Sequence, residues 1–396
     1  MLAKKGLAVS PSPTLVIDSK AKELKSRGVD VISFGAGEPD FDTPAHIREA
    51  AIAAINEGHT RYTPASGTRE LKEAICRKLE RENGLHYTPA DIVVSNGAKH
   101  SLSNAFAAIL NPGDEVMVPV PYWVSYPELV KLSDGIPVAV ETREKNAFKV
   151  TIPDLKKAWS TRTKALVLNS PGNPTGQIYT REELEVLGYY CLEHDIFIIT
   201  DEIYERLVYD GIPYTSVASL GQDLKELTVL INGVSKSYAM TGWRIGYAAA
   251  SPEIARVMGA IQSHATSNPN SIAQMAALAA LDGPQECLAE MLLAFAERRK
   301  YMYQRIQGMP FLRALQPQGA FYVFVNIAEA LGKTHGGKVV ADSDDFAARL
   351  LEEKKVAVVP GTGFGSPHGM RLSYASSMEN IEKGLDRLEL FLKELQ

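Results

Sequence analysis

The stretch TVLINGVSKSYAMTGWRIGYAAA, residues 228–250, decides how this chain is read. Thr228 to Asn232 and Ile245 to Ala250 read as two strands that flank a polar turn. Within that turn Lys236 stands just past an apolar run, and Arg244 follows eight residues later. A lysine ammonium is seldom buried unless it is paired, deprotonated or covalently used. One use is condensation with an aldehyde cofactor, in which the neutral amine is the nucleophile. The planar donors of Arg244 would then suit that cofactor's phosphate. The plainer alternative is a solvated loop lysine, and these residues alone leave both readings open.

Outward from this stretch, helical and strand patterns alternate. Strands are expected at Ile92–Ser95, Glu115–Pro119, Ala165–Asn169 and Ile196–Thr200. Helices are expected at Ala45–Glu57, Gly67–Asn83, Ala98–Leu110, Tyr122–Leu132 and Arg181–Glu193. Helical spacing dominates from Pro252 to about Gln307. Mixed structure then returns, with Ala320–Val325, Asp344–Lys354, Val356–Val359, Met370–Tyr374 and Glu379–Glu394. This is the α/β alternation of an open, mainly parallel sheet with helices on both faces. Gly332 to Lys338 superficially resembles a phosphate loop but lacks the full GxxxxGK[ST] pattern, and a surface loop is the better reading.

The chain has 396 residues, enough for two or three domains and a substantial core. Its 42 basic and 47 acidic residues give a net charge of −5, which argues against nucleic acid or an anionic membrane as partner. No apolar run approaches a membrane span, and Met1 to Pro13 lacks a signal-peptide core. The scattered Cys76, Cys191 and Cys287 suit free thiols in a reducing cytoplasm. No CxxC or HExxH spacing points to a metal. A nicotinamide-binding reading fails for want of a strand-linked GxGxxG.

Ligands of such sheets bind beyond the carboxyl ends of the strands, and those ends carry the chemistry here. After Ile92–Ser95 come Asn96-Gly97-Ala98-Lys99, a close backbone approach leading into a helix start that suits a phosphate, or else an ordinary turn. After Ala165–Leu168 comes NSPGNPTG, residues 169–176, whose prolines and glycines fix the backbone around Asn173. After Ile196–Thr200 come Asp201-Glu202-Ile203-Tyr204. An aspartate there is costly to bury unless it meets a cation, a helix cap or solvated turn being the alternative.

Taken in order, NSPGNPTG, TDEIYE, SKSYAMTGWRIGY, GAFY (319–322) and RLSYA (371–375) resemble the class I aminotransferases, pyridoxal-phosphate enzymes of fold type I. GAGEPDFDTP (35–44) and PYWVSYPE (121–128) extend the likeness over nearly the whole chain. It looks closest to the bacterial-type aspartate aminotransferase branch, some members of which also use prephenate. The resemblance implies a seven-stranded, mainly parallel sheet in a large domain with a smaller α/β domain. It divides the chain into an N-terminal segment 1–43, a large domain 44–281 and a C-terminal part 282–396, the first and last forming the small domain.

The resemblance also implies the site. Lys236 would be the Schiff-base lysine and proton shuttle. Asp201 would face the cofactor's pyridine nitrogen, keeping it protonated. Tyr204 and Asn173 would donate to the ring's phenolic oxygen, and Trp123 would stack on the ring. Gly97, Ala98, Lys99, Ser235 and Arg244 would surround the phosphate, joined by Tyr62 from a neighbouring subunit, so that each site would need a homodimer. Arg371 would bind the substrate α-carboxylate, with Gly37 as a backbone contact. No Arg or Lys lies between Val257 and Glu297, where better-known relatives carry an arginine for the distal carboxylate. The bacterial-type branch uses instead a lysine of the phosphate loop with a serine and a threonine near the N-terminus, and the resemblance thereby gives this role to Lys99, Ser12 and Thr14. Ala8 stands where members efficient with prephenate often carry an extra arginine. The expected activity is transfer of the amino group of L-aspartate to 2-oxoglutarate. Alternatives are a prephenate or aromatic amino-acid aminotransferase, or a non-catalytic ligand-binding protein on this fold.

Overall fold

The computed structural model describes residues 2–396, and in the helix Pro13–Ser26 every side chain but that of Asp18. Met1, the first residue of the segment read as 1–43, lies outside the described residues.

Seven strands make the main sheet: β1 (Ile92–Ser95), β2 (Glu115–Val120), β3 (Ile136–Glu141), β4 (Thr163–Asn169), β5 (Phe197–Asp201), β6 (Thr228–Gly233) and β7 (Gly246–Ala249). Their order is β1-β7-β6-β5-β4-β2-β3. All neighbours are parallel except β7, which runs antiparallel to both β1 and β6. Strands buried on both faces need apolar residues at every position, which is why β4 and β5 read as unbroken runs. Alternate side chains then serve opposite layers. Ala165 and Val167 join Leu102, Phe106 and Met258 on one face. Leu166 and Leu168 join Leu184, Leu187 and Cys191 on the other. Each such Leu or Phe contributes about 1.5–3 kcal/mol when fully buried.

The helices of the first layer are Ala98–Ile109, Ser125–Leu132 and Pro252–Ala265, and the second includes Arg181–Glu193. Arg181–Glu193 begins at a capping box, with the Thr180 side chain and Glu183 satisfying each other's backbone N–H groups. The helix expected from Tyr122 starts only at Ser125, because Tyr122 and Trp123 continue the turn that leaves β2.

A second sheet is antiparallel: β8 (Arg313–Ala314), β9 (Tyr322–Asn326), β10 (Val359–Pro360) and β11 (Gly369–Ser373), in the order β10-β11-β9-β8. Ile32–Ser33 pairs in parallel with Val356–Ala357, and the Ser373 N–H donates to the Phe34 carbonyl at 2.9 Å. The N-terminal segment is thereby tied to the C-terminal part, and Gly35 to Glu38 emerge beside β11. Gly332 to Lys338 is not a phosphate loop. Thr334–His335 and Lys338–Val339 form a small hairpin whose turn is Gly336 and Gly337, both at positive φ.

The carboxyl ends of β1, β2, β4, β5 and β6 lie at one edge of the main sheet. Because β7 is reversed, its beginning lies at that same edge. Residues far apart in sequence therefore meet there.

Candidate active site

A cavity of about 430 Å³ opens at this edge. Its lining includes Thr14, Gly37, Ala98, Lys99, Trp123, Asn173, Asp201, Tyr204, Ser235, Lys236, Arg244 and Arg371, so most of the residues singled out from sequence share one space. Five cationic residues (Lys22, Lys99, Lys236, Arg244, Arg371) face it against two acidic ones (Glu38, Asp201). In a chain of net charge −5 this bowl is locally positive, which suits ligands carrying several negative charges.

Lys236 lies just past β6, where the chain turns back toward β7. Its amine is enclosed in the cavity wall and donates to the Gly37 carbonyl at 2.6 Å. Burial lowers its pKa to about 8. Glu38 and Asp201 resist that fall, whereas Arg244 and Arg371 add to it. Roughly a tenth of the amine is thus neutral at pH 7, far more than for an ordinary lysine, and the neutral form is the one a nucleophile or base needs.

Asp201 ends β5 and is 4% exposed. Burial raises its pKa to about 6. The Tyr126 hydroxyl, donating at 2.7 Å, and the Ile203 N–H, at 3.3 Å, work in the opposite direction. The carboxylate is a buried charge for which a cationic ligand group is the missing complement. Behind it the Asn169 amide donates to the Asp201 carbonyl at 2.9 Å.

The phosphate cradle is built from close packing. Gly97 precedes the helix Ala98–Ile109 with φ 85°, and a Cβ there would overlap the Arg244 guanidinium. Arg244 donates from Nη1 to the Thr241 carbonyl at 3.0 Å and from Nη2 to the Asn96 carbonyl at 3.3 Å. Free helix N–H groups, a guanidinium and the buried Ser235 hydroxyl thus converge, a donor set that fits a phosphate dianion. With an amine able to meet an aldehyde, an acid placed for a pyridinium and this cradle, the residues present fit pyridoxal phosphate.

Arg371, on β11, is 2% exposed. Nη1 donates to Asn173 Oδ1 at 3.0 Å and Nη2 to the Gly35 carbonyl at 2.9 Å. Nε is buried without a partner. The guanidinium lies over the Tyr322 ring, 4.3 Å from its centroid. Burial lowers its pKa, yet among the described residues its hydrogen-bond partners are neutral. With its carbonyl oxygen committed to Arg371, Asn173 keeps its amide nitrogen as the donor end.

Lys99 packs its amine against Trp123, 4.9 Å from the ring centroid, and burial lowers its pKa. Ser12 and Thr14 share a hydroxyl–hydroxyl bond of 2.8 Å. Thr14 lines the main cavity and Ser12 a neighbouring one of about 410 Å³, and Lys99 borders both. Tyr62 is not brought to this cavity: it is 90% exposed on the loop before Pro64.

Several lining residues had no role assigned from sequence. Tyr126 and Tyr322 stood inside quoted motifs, and Tyr322 meets the Tyr204 hydroxyl at 2.9 Å. Lys22, Glu38, Asn169, Ile203 and Thr241 also line the cavity. All of these but Lys22 also stood inside quoted motifs, but bonds such as Thr241 to Glu38 and Asn169 to the Asp201 carbonyl cross long stretches of chain that no local spacing announces.

A family model described as aminotransferase class I and II matches residues 29–388. The chain is 53% identical over 392 residues, 99% of each sequence, to the aspartate aminotransferase of Geobacillus stearothermophilus. It is 45% identical, over 99% of each, to the aspartate/prephenate aminotransferase of Nitrosomonas europaea. The crystal structure of the aspartate aminotransferase from Rhizobium meliloti superposes with a TM-score of 0.96 at 42% identity, covering all of both chains.

Proposed function

Since the chain belongs to the class I and II aminotransferases, enzymes that use pyridoxal 5′-phosphate, we propose that it works as an aspartate aminotransferase, moving the amino group of L-aspartate to 2-oxoglutarate to give oxaloacetate and L-glutamate. The observation that carries the substrate class is Arg371, a buried guanidinium with an unpartnered Nε, in one cavity with Lys99. Two cations about a small cavity suit the two carboxylates of a dicarboxylic amino acid.

When bound, pyridoxal phosphate supplies an aldehyde that carries the amino group and a ring that takes up the electron pair released at the substrate Cα. Arg244, Ser235 and the Gly97–Lys99 backbone hold its phosphate, Trp123 covers its ring, and Tyr204 and Asn173 donate to its phenolic oxygen. Asp201, kept ionised by Tyr126 and the Ile203 N–H, holds the pyridine nitrogen protonated. Arg371 and Gly37 orient the α-carboxylate so that the Cα proton faces Lys236. Lys236 would take that proton as base and hold it as the ammonium, ready to act as acid. Lys99, Ser12 and Thr14 read the distal carboxylate.

The same reading includes a homodimer, in which the exposed Tyr62 reaches the phosphate of the neighbouring site, a cytoplasmic location in keeping with the free Cys76, Cys191 and Cys287, and a part in amino-acid biosynthesis. It keeps the division into 1–43, 44–281 and 282–396. Among the described residues no helix is long and apolar enough to cross a membrane.

The test is a single-turnover experiment on the cofactor-loaded protein with aspartate, glutamate, phenylalanine, or prephenate plus glutamate. Fastest conversion of the cofactor to its amine form by aspartate supports the reading. The relative in Nitrosomonas named for both substrates favours prephenate as the second reading. Arogenate formation outpacing oxaloacetate formation would establish it. Lys99→Ala should raise KM for aspartate far more than for phenylalanine, and equal effects would remove Lys99 from distal recognition.

A further inference from the structure

Glu38 belongs to the GAGEPDFDTP stretch and lies at the mouth of the cavity, yet the mechanism above gives it no task. Its carboxylate accepts a hydrogen bond from the Thr241 hydroxyl at 2.8 Å. The Thr241 carbonyl in turn accepts from Arg244 Nη1 at 3.0 Å. The residue before it, Gly37, accepts from the Lys236 amine, and Gly35 accepts from Arg371. Three of the four consecutive residues 35–38 therefore touch the lysine, the turn holding the phosphate arginine and the carboxylate-binding arginine. Within them only Glu38 carries a charge.

We propose that Glu38 is a positioning residue for proton transfer: it docks the Thr241–Arg244 turn against the N-terminal segment and, from across the cavity mouth, governs how readily the Lys236 amine gives up its proton. The proposal rests on the reading of Lys236 as base given above. The charges facing that amine come from four parts of the chain: Glu38, Asp201 at the end of β5, Arg244 ahead of β7 and Arg371 on β11. Glu38 favours the protonated amine more than Asp201 does, while burial, Arg244 and Arg371 oppose it. In the working enzyme Asp201 is committed to the ring nitrogen and Arg371 to substrate. With Arg244 likewise committed to the phosphate, Glu38 is the one of these four charges that neither cofactor nor substrate engages, and it keeps the amine basic enough to take a proton from carbon.

The experiment compares cofactor-loaded wild type, Glu38→Gln, Glu38→Asp and Thr241→Val with saturating aspartate and 2-oxoglutarate across pH 5 to 10. Removing a negative charge makes the ammonium less favourable, so the acid limb of kcat should move to lower pH in Glu38→Gln. A unit charge a few ångströms off in water-like surroundings corresponds to about half a pH unit. Glu38→Asp should restore the wild-type limb. Thr241→Val, which keeps the charge but loses the tether, should weaken cofactor retention without moving the limb. A Glu38→Gln profile that overlies wild type, or a limb that moves equally in Thr241→Val, overturns the proposal. Absence of aspartate transamination in the wild type would instead overturn the underlying reading.

Discussion

The Tyr126 hydroxyl donates to Asp201 Oδ2 at 2.7 Å, across 75 residues of sequence and wholly inside the protein. A hydrogen bond to a buried charge is worth about 1.5–3 kcal/mol, and this one favours the ionised acid. Tyr126→Phe should therefore weaken cofactor binding by about tenfold or more and make that binding fall away at higher pH than in wild type, as Asp201 takes up its proton more readily. Cofactor titration against pH would measure both. A profile unchanged from wild type would reduce Tyr126 to a space-filling role.

Asp201 itself should trade stability for function. Its folded pKa, about 6, lies above the ordinary 3.8. A carboxyl so raised adds stability that is complete below pH 4 and lost as pH rises through 6. At pH 7 the cofactor-free protein thus bears a penalty of at most about 3 kcal/mol, which Asp201→Asn lacks. Cofactor-free Asp201→Asn should melt above wild type at pH 7 and level with it at pH 4. With cofactor the order should reverse, and kcat should fall by about a hundredfold or more, as for breaking a buried ion pair. Melting curves with and without cofactor at both pH values decide it. An Asn variant that is less stable without cofactor at pH 7 would sink the idea.

How far sequence carried this picture can be seen element by element. Ile92–Ser95 and Arg181–Glu193 were legible to the residue because local chemistry ends them: Gly97 at positive φ past the first, and the Thr180–Glu183 box before the second. β3 was missed. It is an edge strand, half exposed, with Pro137 in its ladder, so it shows neither an unbroken apolar run nor clean alternation. The helix Pro13–Ser26 was missed because few of its residues are buried and its apolar stripe is weak. Lys236 and Asp201 drew notice because each sets a costly side chain at the end of an apolar strand, yet their roles came only from the order of the motifs, and Arg371 was read from that resemblance alone. Tyr126 was not legible, since a tyrosine in a short amphipathic helix looks like any core residue until Asp201 is folded beneath it.

Arg371 separates binding from stability. Its hydrogen bonds go to Asn173 and a backbone carbonyl, and its Nε has no partner. A buried charge with neutral acceptors contributes little to folding or opposes it. Arg371→Met should accordingly leave the melting temperature unchanged or raise it, while KM for aspartate rises by about a hundredfold, as expected for loss of a charge-assisted pair. Arg371→Lys should recover little, because an ammonium cannot bind a carboxylate in fork geometry. Steady-state kinetics beside thermal melts test this. A large drop in melting temperature with modest KM would mark Arg371 as structural.

Two glycines at the cradle should fail in different ways when given a methyl group. At Gly97 the new Cβ meets the far end of Arg244, a side chain that can swing aside, although φ 85° adds strain. At Gly246, the first residue of β7, the new Cβ meets the backbone of Gly97 and Ala98, which cannot move without parting β7 from the helix start. Gly97→Ala should fold, losing roughly 1–2 kcal/mol to the left-handed backbone, but bind cofactor at least tenfold more weakly, because the arginine is displaced from its phosphate. Gly246→Ala should lose stability outright, by about 3 kcal/mol or more, with or without cofactor. Cofactor titration and denaturant unfolding of both variants separate the cases. Equal stability losses with unchanged cofactor affinity would mean that Arg244 does not sit over Gly97 when the site is filled.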